Sequence, residues 1–297
     1  MRILVLDLLA ERSEFGHGGN IEMVKPFTEF HTNIEVLLVT PQFEDLAKSN
    51  KTQLELIQIE QKEVPFWDNE GVFKSVSSEN INDSRVDFIR ILTPLGEVDE
   101  LSNWLIENEI SCIFCSGSRR NVSQPEPWMN PAKIILKGAI TAKLPVLGIC
   151  FGHQLLADAL GGRVIRSKER TDAIYNLELS ELGLKDPLFN DLLNDGLGPV
   201  TLYTHQDHVV EISTTQEIKM ELLGSSEHCK NAAIRASLNN TLLPVWGVQF
   251  HPEASMARIE RSYKLGHISL EEKEKFNREH DGAKVLENFA SIVNLNL

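Results

Sequence analysis

The sequence predicts an α/β protein with a mostly parallel central sheet flanked by helices. Short apolar runs at Ile3 to Leu8, Ile34 to Val39, Ile110 to Cys115 and Val146 to Ile149 read as strands buried on both faces. Between them lie stretches with helical spacing at Met23 to Phe27, Val98 to Asn108 and Ile134 to Thr141. Strands alternating with helices build parallel sheets, because each crossover lays a helix on the sheet.

The first strand, Ile3 to Leu8, sits in an apolar run that extends to Ala10 and is interrupted by Asp7. It is too short to span a membrane and lacks a signal-peptide cleavage pattern, so a cytoplasmic protein with no membrane partner is expected. The second strand ends at Thr40-Pro41. The polar stretch from residue 42 to 84 has weak periodicity and reads as an insertion or lid. Val98, Leu101, Leu105 and Ile106 share a helix face ahead of the Ile110–Cys115 strand. Cys112 and Cys115 are spaced like a redox or metal pair, but residues three apart on a strand face opposite sides, so a structural role is read. The second half holds extra strands at Arg163 to Ile165, Leu177 to Leu179, Val200 to Tyr203, Ala232 to Ala236 and Val245 to Phe250. Glu181 to Pro199 is loop-rich and is the one linker candidate. Ser269 and Glu272 have capping-box spacing. Val285, Leu286, Phe289, Ile292 and Val293 then lie on one face of a closing helix, read as docked on the domain. We therefore expect a single domain over 1–297, with an insertion at 42–84 and a C-terminal helical extension at 269–297.

Composition narrows the function. The 297 residues carry 29 Lys plus Arg against 43 Asp plus Glu, a net charge of −14, which repels phosphate backbones and argues against nucleic acid as a partner. Four cysteines in a chain of this length do not make a disulfide scaffold.

The chemistry is concentrated in Leu147-Gly148-Ile149-Cys150-Phe151-Gly152-His153-Gln154. An apolar strand runs into Cys150, and a helical pattern follows through Leu155, Leu156, Ala157 and Leu160. This is the thiol form of a nucleophile elbow, where glycines on both flanks leave room for a sharp strand-to-helix turn. The helix N-terminus favours thiolate over thiol, and the Phe151 N–H is the first oxyanion donor. About a hundred residues later, the Val245–Phe250 strand delivers His251-Pro252-Glu253. Residues two apart on an extended segment point the same way, so His251 faces Cys150 as base while Glu253 orients it.

Together, Gly148 to Gln154 and Val248-Gln249-Phe250-His251-Pro252-Glu253 resemble the class I (triad) glutamine amidotransferases. The resemblance is strongest to the amidotransferase domain of GMP synthase and its stand-alone relatives. It covers Ile110 to about Ala257 plus the first strand, and it implies that family's flavodoxin-like fold. It further implies that Cys150 attacks the glutamine side-chain amide, that ammonia leaves protonated through His251, and that water hydrolyses the γ-glutamyl thioester. No metal or organic cofactor is required for this. It assigns Gly117, Gln154, Thr204 and His205 to substrate binding, with serine more usual at the Thr204 position. Ser116-Gly117-Ser118-Arg119-Arg120-Asn121 departs from the family's Ser-Gly-Gly-Pro. The second oxyanion N–H then falls to Ser118. Arg119 and Arg120 either meet a carboxylate or form a solvated pair.

His205, Asp207 and His208 have metal-binding atoms, but no further cluster joins them, so substrate contact or loop structure is read instead. His153 follows the nucleophile on the elbow helix and points poorly for a base. His17-Gly18-Gly19-Asn20 is read as a loop after the first strand, where it would touch an acceptor or partner. No phosphate loop and no Ser-Gly-Gly-x-Asp-Ser adenylation segment is present, so an ATP-dependent step is expected on a separate synthetase chain. Three functions remain open: a glutaminase subunit feeding such a synthetase, a stand-alone hydrolase of γ-glutamyl peptides or amides, and a low-activity binding or regulatory protein.

Overall fold

The computed structural model describes residues 1–9, 13–42, 74–193, 198–213, 217–276 and 278–295. The first strand, β1 (Arg2–Leu6), is followed by α1 (Ser13–Val24) and a 3-10 turn (Lys25–Glu29), then β2 (Asn33–Val39). A hairpin of β3 (Lys74–Ile81) and β4 (Ser84–Ile91) leads to α2 (Val98–Glu107), β5 (Ile110–Cys115), α3 (Met129–Thr141), β6 (Val146–Ile149) and α4 (Phe151–Ala159). Then come β7 (Arg163–Asn176), β8 (Glu178–Leu179), β9 (Val200–Glu211), β10 (Ile218–Ser226), β11 (Cys229–Leu238) and β12 (Thr241–Val248). The helices α5 (Met256–Lys264), α6 (Leu270–Glu274) and α7 (Gly282–Leu295) close the chain.

Ten strands form one sheet in the order β3-β4-β2-β1-β5-β6-β12-β11-β10-β8. Its centre, β4-β2-β1-β5-β6-β12, is parallel. The outer strands β3, β11, β10 and β8 join antiparallel. The long strands β7 and β9 pair with each other as a separate antiparallel ribbon.

Each face of the sheet carries its own core. One contains Phe27, Cys112, Phe114, Trp246 and Phe289, and the other contains Leu4, Ile113, Cys115, Ile135 and Leu155. Cys112 and Cys115 thus lie on opposite faces, and burial pushes both thiols well above their ordinary range. α7 buries Val285, Phe289 and Val293 in the first core, with Ile292 packed at its edge. Ser269 and Glu272 form the expected capping box, with the Ser269 N–H donating to Glu272 Oε2 at 2.7 Å.

Four expectations change. Ser84–Ile91 is a full strand of the parallel centre, where the sequence pattern predicts none. Val86 and Phe88 point inward between the outward Arg85 and Asp87, but the alternation breaks at once because Ile89 takes the next outward position and the charged Arg90 the next inward one. Arg90 itself is buried and reaches Asp7 at 3.0 Å. Lys74–Ile81, expected as part of an insertion, is the edge strand paired to it, and 43–73 lie outside the described residues. Ile218–Ser226 is likewise a strand beyond those the pattern predicts. Lastly, within the loop-rich 181–199 candidate, residues 181–193 are anchored on the sheet, and 194–197 lie outside the described residues. The buried Asp186 carboxylate accepts from Leu188 N (3.0 Å), Trp246 Nε1 (3.0 Å) and Arg235 Nη1 (2.8 Å).

Among the described residues no helix is long and apolar enough to cross a membrane. The C-terminal ends of β5, β6 and β12 come together at one edge, where open parallel sheets place their sites.

Candidate active site

β6 runs straight into Cys150, whose backbone takes φ 51° and ψ −102°, and α4 starts at the next residue. A non-glycine residue rarely holds a positive φ, and such a conformation costs about 1–3 kcal/mol. The surroundings enforce it. The Cys150 N–H donates to Val248 O at 2.8 Å, and the Gln154 N–H donates to Cys150 O at 3.1 Å. The flanking glycines are required by close approach. A Cβ on Gly152 would stand 2.0 Å from Cys115 O, and one on Gly148 would stand 2.7 Å from Gly152 O. Cys150 therefore sits at the positive end of α4, beside first-turn N–H groups that have no partner within the helix.

His251 arrives from the neighbouring strand, though not in the expected extended geometry. β12 ends at Val248, and His251-Pro252-Glu253 lies in a turn closed by Ala254 N donating to His251 O at 3.2 Å. The turn folds the carboxylate back onto the ring, so His251 Nδ1 meets Glu253 Oε1 at 2.9 Å. The His251 N–H donates to Leu202 O on β9 at 2.8 Å, which fixes the backbone beneath the ring. With Nδ1 occupied, the buried Nε2 is the atom left for the thiol; it makes no other hydrogen bond. Gly117 is pinched between the two side chains. A Cβ there would lie 3.0 Å from His251 Cε1 and 3.9 Å from Cys150 Cβ.

The electrostatics follow from this packing. Burial alone would lower the His251 pKa, but the adjacent Cys150 and Glu253 override it and raise the ring to about 10. Glu253 is held below its ordinary value despite burial, chiefly by His251 and then by Arg258. Arg258 comes from α5, donates to Glu253 O (3.1 Å) and Phe15 O (2.7 Å), and lies over the Phe15 ring at 4.4 Å. The arrangement favours the charged imidazolium at His251, beside Cys150 and Glu253.

The remaining sequence-derived residues line the same cavity, of about 420 Å³. Ser118 Oγ accepts from Arg120 N at 3.1 Å, which ties that loop to itself. Phe151 stacks on Trp128 at 5.7 Å. Both amide hydrogens of Gln154 are used, toward Asp207 O (2.7 Å) and Gln249 Oε1 (3.1 Å), so its oxygen is what it can offer a ligand. Thr204 Oγ1 donates to Asp172 Oδ1 at 2.6 Å and accepts from Arg170. Thr204 also presents its backbone carbonyl 3.8 Å from Cys150 Sγ. His205 is buried between Asp207 O (2.9 Å) and His228 Nε2 (3.1 Å), and burial pushes it down to about 3, so it is neutral. His208 turns to Ser167 Oγ at 3.1 Å, and no group of three or more metal-binding side chains gathers among the described residues.

His153 is fully buried, lowered to about 4 by burial, and packed where a Cβ on Gly247 would come within 2.6 Å of its Nδ1. The 17–20 segment is helical, not a loop. His17 packs on Phe88 and bonds Ser77 Oγ at 2.9 Å, while Gly19 and Asn20 reach the cavity. Arg119 stands exposed at the cavity rim, and Arg120 approaches Glu126 at 3.8 Å.

The profile of the family described as glutamine amidotransferase class-I matches residues 68–264. The chain belongs to this family. Among its relatives is a glutamine-hydrolyzing GMP synthase subunit of Methanococcus aeolicus, 29% identical over 204 residues, covering 68% of this chain and 81% of that one. The corresponding protein of Methanocaldococcus jannaschii is 31% identical over 163 residues, 55% of this chain and 72% of its own. The fold is shared with the solved glutamine amido transferase from Methylobacillus flagellatus, with 18% identity, a TM-score of 0.51, and coverage of 71% and 84% of the two chains. It is shared also with SMU.1228c, with 14% identity, a TM-score of 0.58, and coverage of 99% and 100%.

Several cavity residues carry no signal in the sequence pattern, and some lie on either side of the family match. Phe15 precedes the matched span, and His267, Ile268 and Phe276 follow it. Arg166 and Arg170 enter from the β7 ribbon. Helical spacing marks such apolar residues only as members of a face, so nothing local places Phe15 or Phe276 in one cavity with Cys150, more than a hundred residues away in sequence.

Proposed function

We propose that this amidotransferase hydrolyses the side-chain amide of glutamine through a covalent γ-glutamyl thioester on Cys150. Cys150 Sγ bonds the amide carbon, and the oxyanion is held by the backbone N–H groups of Phe151 and Ser118. His251 gives its proton to the leaving nitrogen, and the C–N bond breaks to release ammonia. The neutral His251 then takes a proton from water, which attacks the thioester. Glutamate leaves and the thiol is restored. Glu253 keeps the Nδ1 proton in place and stabilises the imidazolium throughout. Gly117, Gln154, Thr204 and His205 shape the pocket for the glutamyl part. By analogy with relatives named as subunits of GMP synthase, the ammonia passes to a separate ATP-dependent synthetase chain.

The observation that carries this reading is the His251–Glu253 contact at 2.9 Å beside a strained, helix-capping cysteine. A second reading, a stand-alone hydrolase of γ-glutamyl amides, uses the same chemistry and is favoured by a cavity that continues past the triad to Ile268 and Phe276.

Glutamate release from glutamine by the purified chain, alone and with a candidate synthetase, tests the proposal. Cys150→Ala is expected to abolish release and labelling by a glutamine-analogue electrophile while keeping a cooperative unfolding transition. Full turnover in that variant would sink the assignment.

A further inference from the structure

His251 marks one side of the cavity. In the proposed chemistry it protonates the departing nitrogen, so whatever that nitrogen carries must lie against the walls around the imidazole. Those walls carry an apolar patch set among the polar Arg258, Ser262, His267 and Glu272. Leu202 lies directly beneath His251, whose N–H its carbonyl accepts at 2.8 Å, and Ala254 follows His251 in the same turn. Leu202 packs with Ile259 and Phe276 as a small cluster of its own, with Ala254 and Ile268 against it. All five residues line the cavity. The cluster is separate from both cores of the large sheet; it sits on the β7–β9 ribbon through Leu202 and Ile174 and faces the cavity from there.

The other walls are different in kind. The oxyanion side presents Ser118 and Arg119, and the ribbon side presents Thr204, Arg166 and Arg170. The apolar side is also built from chain outside the family match, since Ile268 and Phe276 lie beyond residue 264. Ammonia gains nothing from such a surface, because it has no apolar area to remove from water.

We propose that the apolar face beside His251 is an amine subsite, and that the preferred substrate is a γ-glutamyl amide whose amine carries a branched or aromatic apolar group. This rests on the Cys150 reading above and names the substrate class for it. Atoms balance as in glutamine hydrolysis. The thiolate forms a C–S bond to the γ-carbonyl, the C–N bond breaks, and the amine departs with the proton from His251. Water then replaces sulfur, giving glutamate and the free amine.

The test compares kcat/KM of the full chain on glutamine, γ-glutamylglycine, γ-glutamylleucine and γ-glutamylphenylalanine. Burying an apolar side chain in a fitted pocket is expected to favour the leucine and phenylalanine peptides over the glycine peptide by roughly tenfold or more. Phe276→Ala should cut the phenylalanine-to-glycine ratio by about the same factor. Ile268→Asp, at a half-buried position, should cut it further. Equal turnover of all three peptides overturns the inference, and so does a ratio that neither variant moves. Good glutaminase activity with all peptides poor also overturns it and leaves the Cys150 chemistry standing, with the apolar face then serving ammonia passage. No turnover of any substrate overturns it too. In that case, absence of a Cys150 adduct from a glutamine-analogue electrophile shows that the underlying reading has failed as well.

Discussion

Replacing Glu253 by Gln probes the part of the site that electrostatics govern most directly. The change keeps shape and volume but removes the anion 2.9 Å from His251 Nδ1. The ring's rise from 6.5 to about 10 corresponds to about 5 kcal/mol in favour of the charged form, held by Cys150 and Glu253 against burial. Removing the Glu253 charge takes away one of the two groups that hold the ring charged against burial, so the imidazolium population falls at alkaline pH. The amide can also present its NH₂ to Nδ1, which selects the wrong tautomer, so kcat is expected to fall by roughly 100-fold or more. KM should stay within about twofold, since the Glu253 carboxylate is engaged with the ring and is expected to act through it. The sign on pH is fixed. Loss of an anion lowers the His251 pKa, so the alkaline limb of the kcat/KM profile must move to lower pH. Glutamate release measured from neutral to alkaline pH gives both numbers. An unchanged kcat with an unmoved alkaline limb would show that Glu253 does not support the imidazolium.

Other expectations concern the scaffold. Gly152→Ala would place a Cβ 2.0 Å from Cys115 O, a backbone atom that cannot yield cheaply, and should cost roughly 3 kcal/mol or more in urea unfolding. Asp186→Ala leaves Arg235 and the buried Trp246 indole N–H without their carboxylate, and should cost roughly 3–5 kcal/mol by the same measurement. The His251 pKa is raised on folding, so its contribution to stability is complete below about 6.5 and disappears as pH rises through about 10. In Cys150→Ala one of the two groups that raise the His251 pKa is gone, so thermal unfolding followed across alkaline pH should lose that contribution at a lower pH than in the wild type.

A short stretch of chain can encode a strand, a turn or a helix face, and those parts of the protein are legible in its sequence. The strand-elbow-helix at Val146–Ala159 is written in one apolar run, two glycines and a helical pattern, and close backbone contacts leave no alternative to those glycines. The capping box at Ser269 and the apolar face of the last helix are local in the same way. Ser84–Ile91 escapes such a reading because burial of Arg90 against Asp7 makes an inward position look polar. That pairing joins residues 83 apart, which no window on the sequence contains. The His251-Pro252-Glu253 segment reads as extended, since the carboxylate's return to the ring depends on where β12 releases the chain. Packing alone decides which residues surround the nucleophile. Arg258 stands behind Glu253, β9 lies under His251, and the chain from α5 to Phe276 supplies an apolar side to the cavity. A side chain's chemistry is carried in its own identity, but its neighbours across the sheet are fixed only when distant segments pack. The elbow cysteine can therefore be picked out from the chain, whereas the shape of the cavity around it waits for the fold.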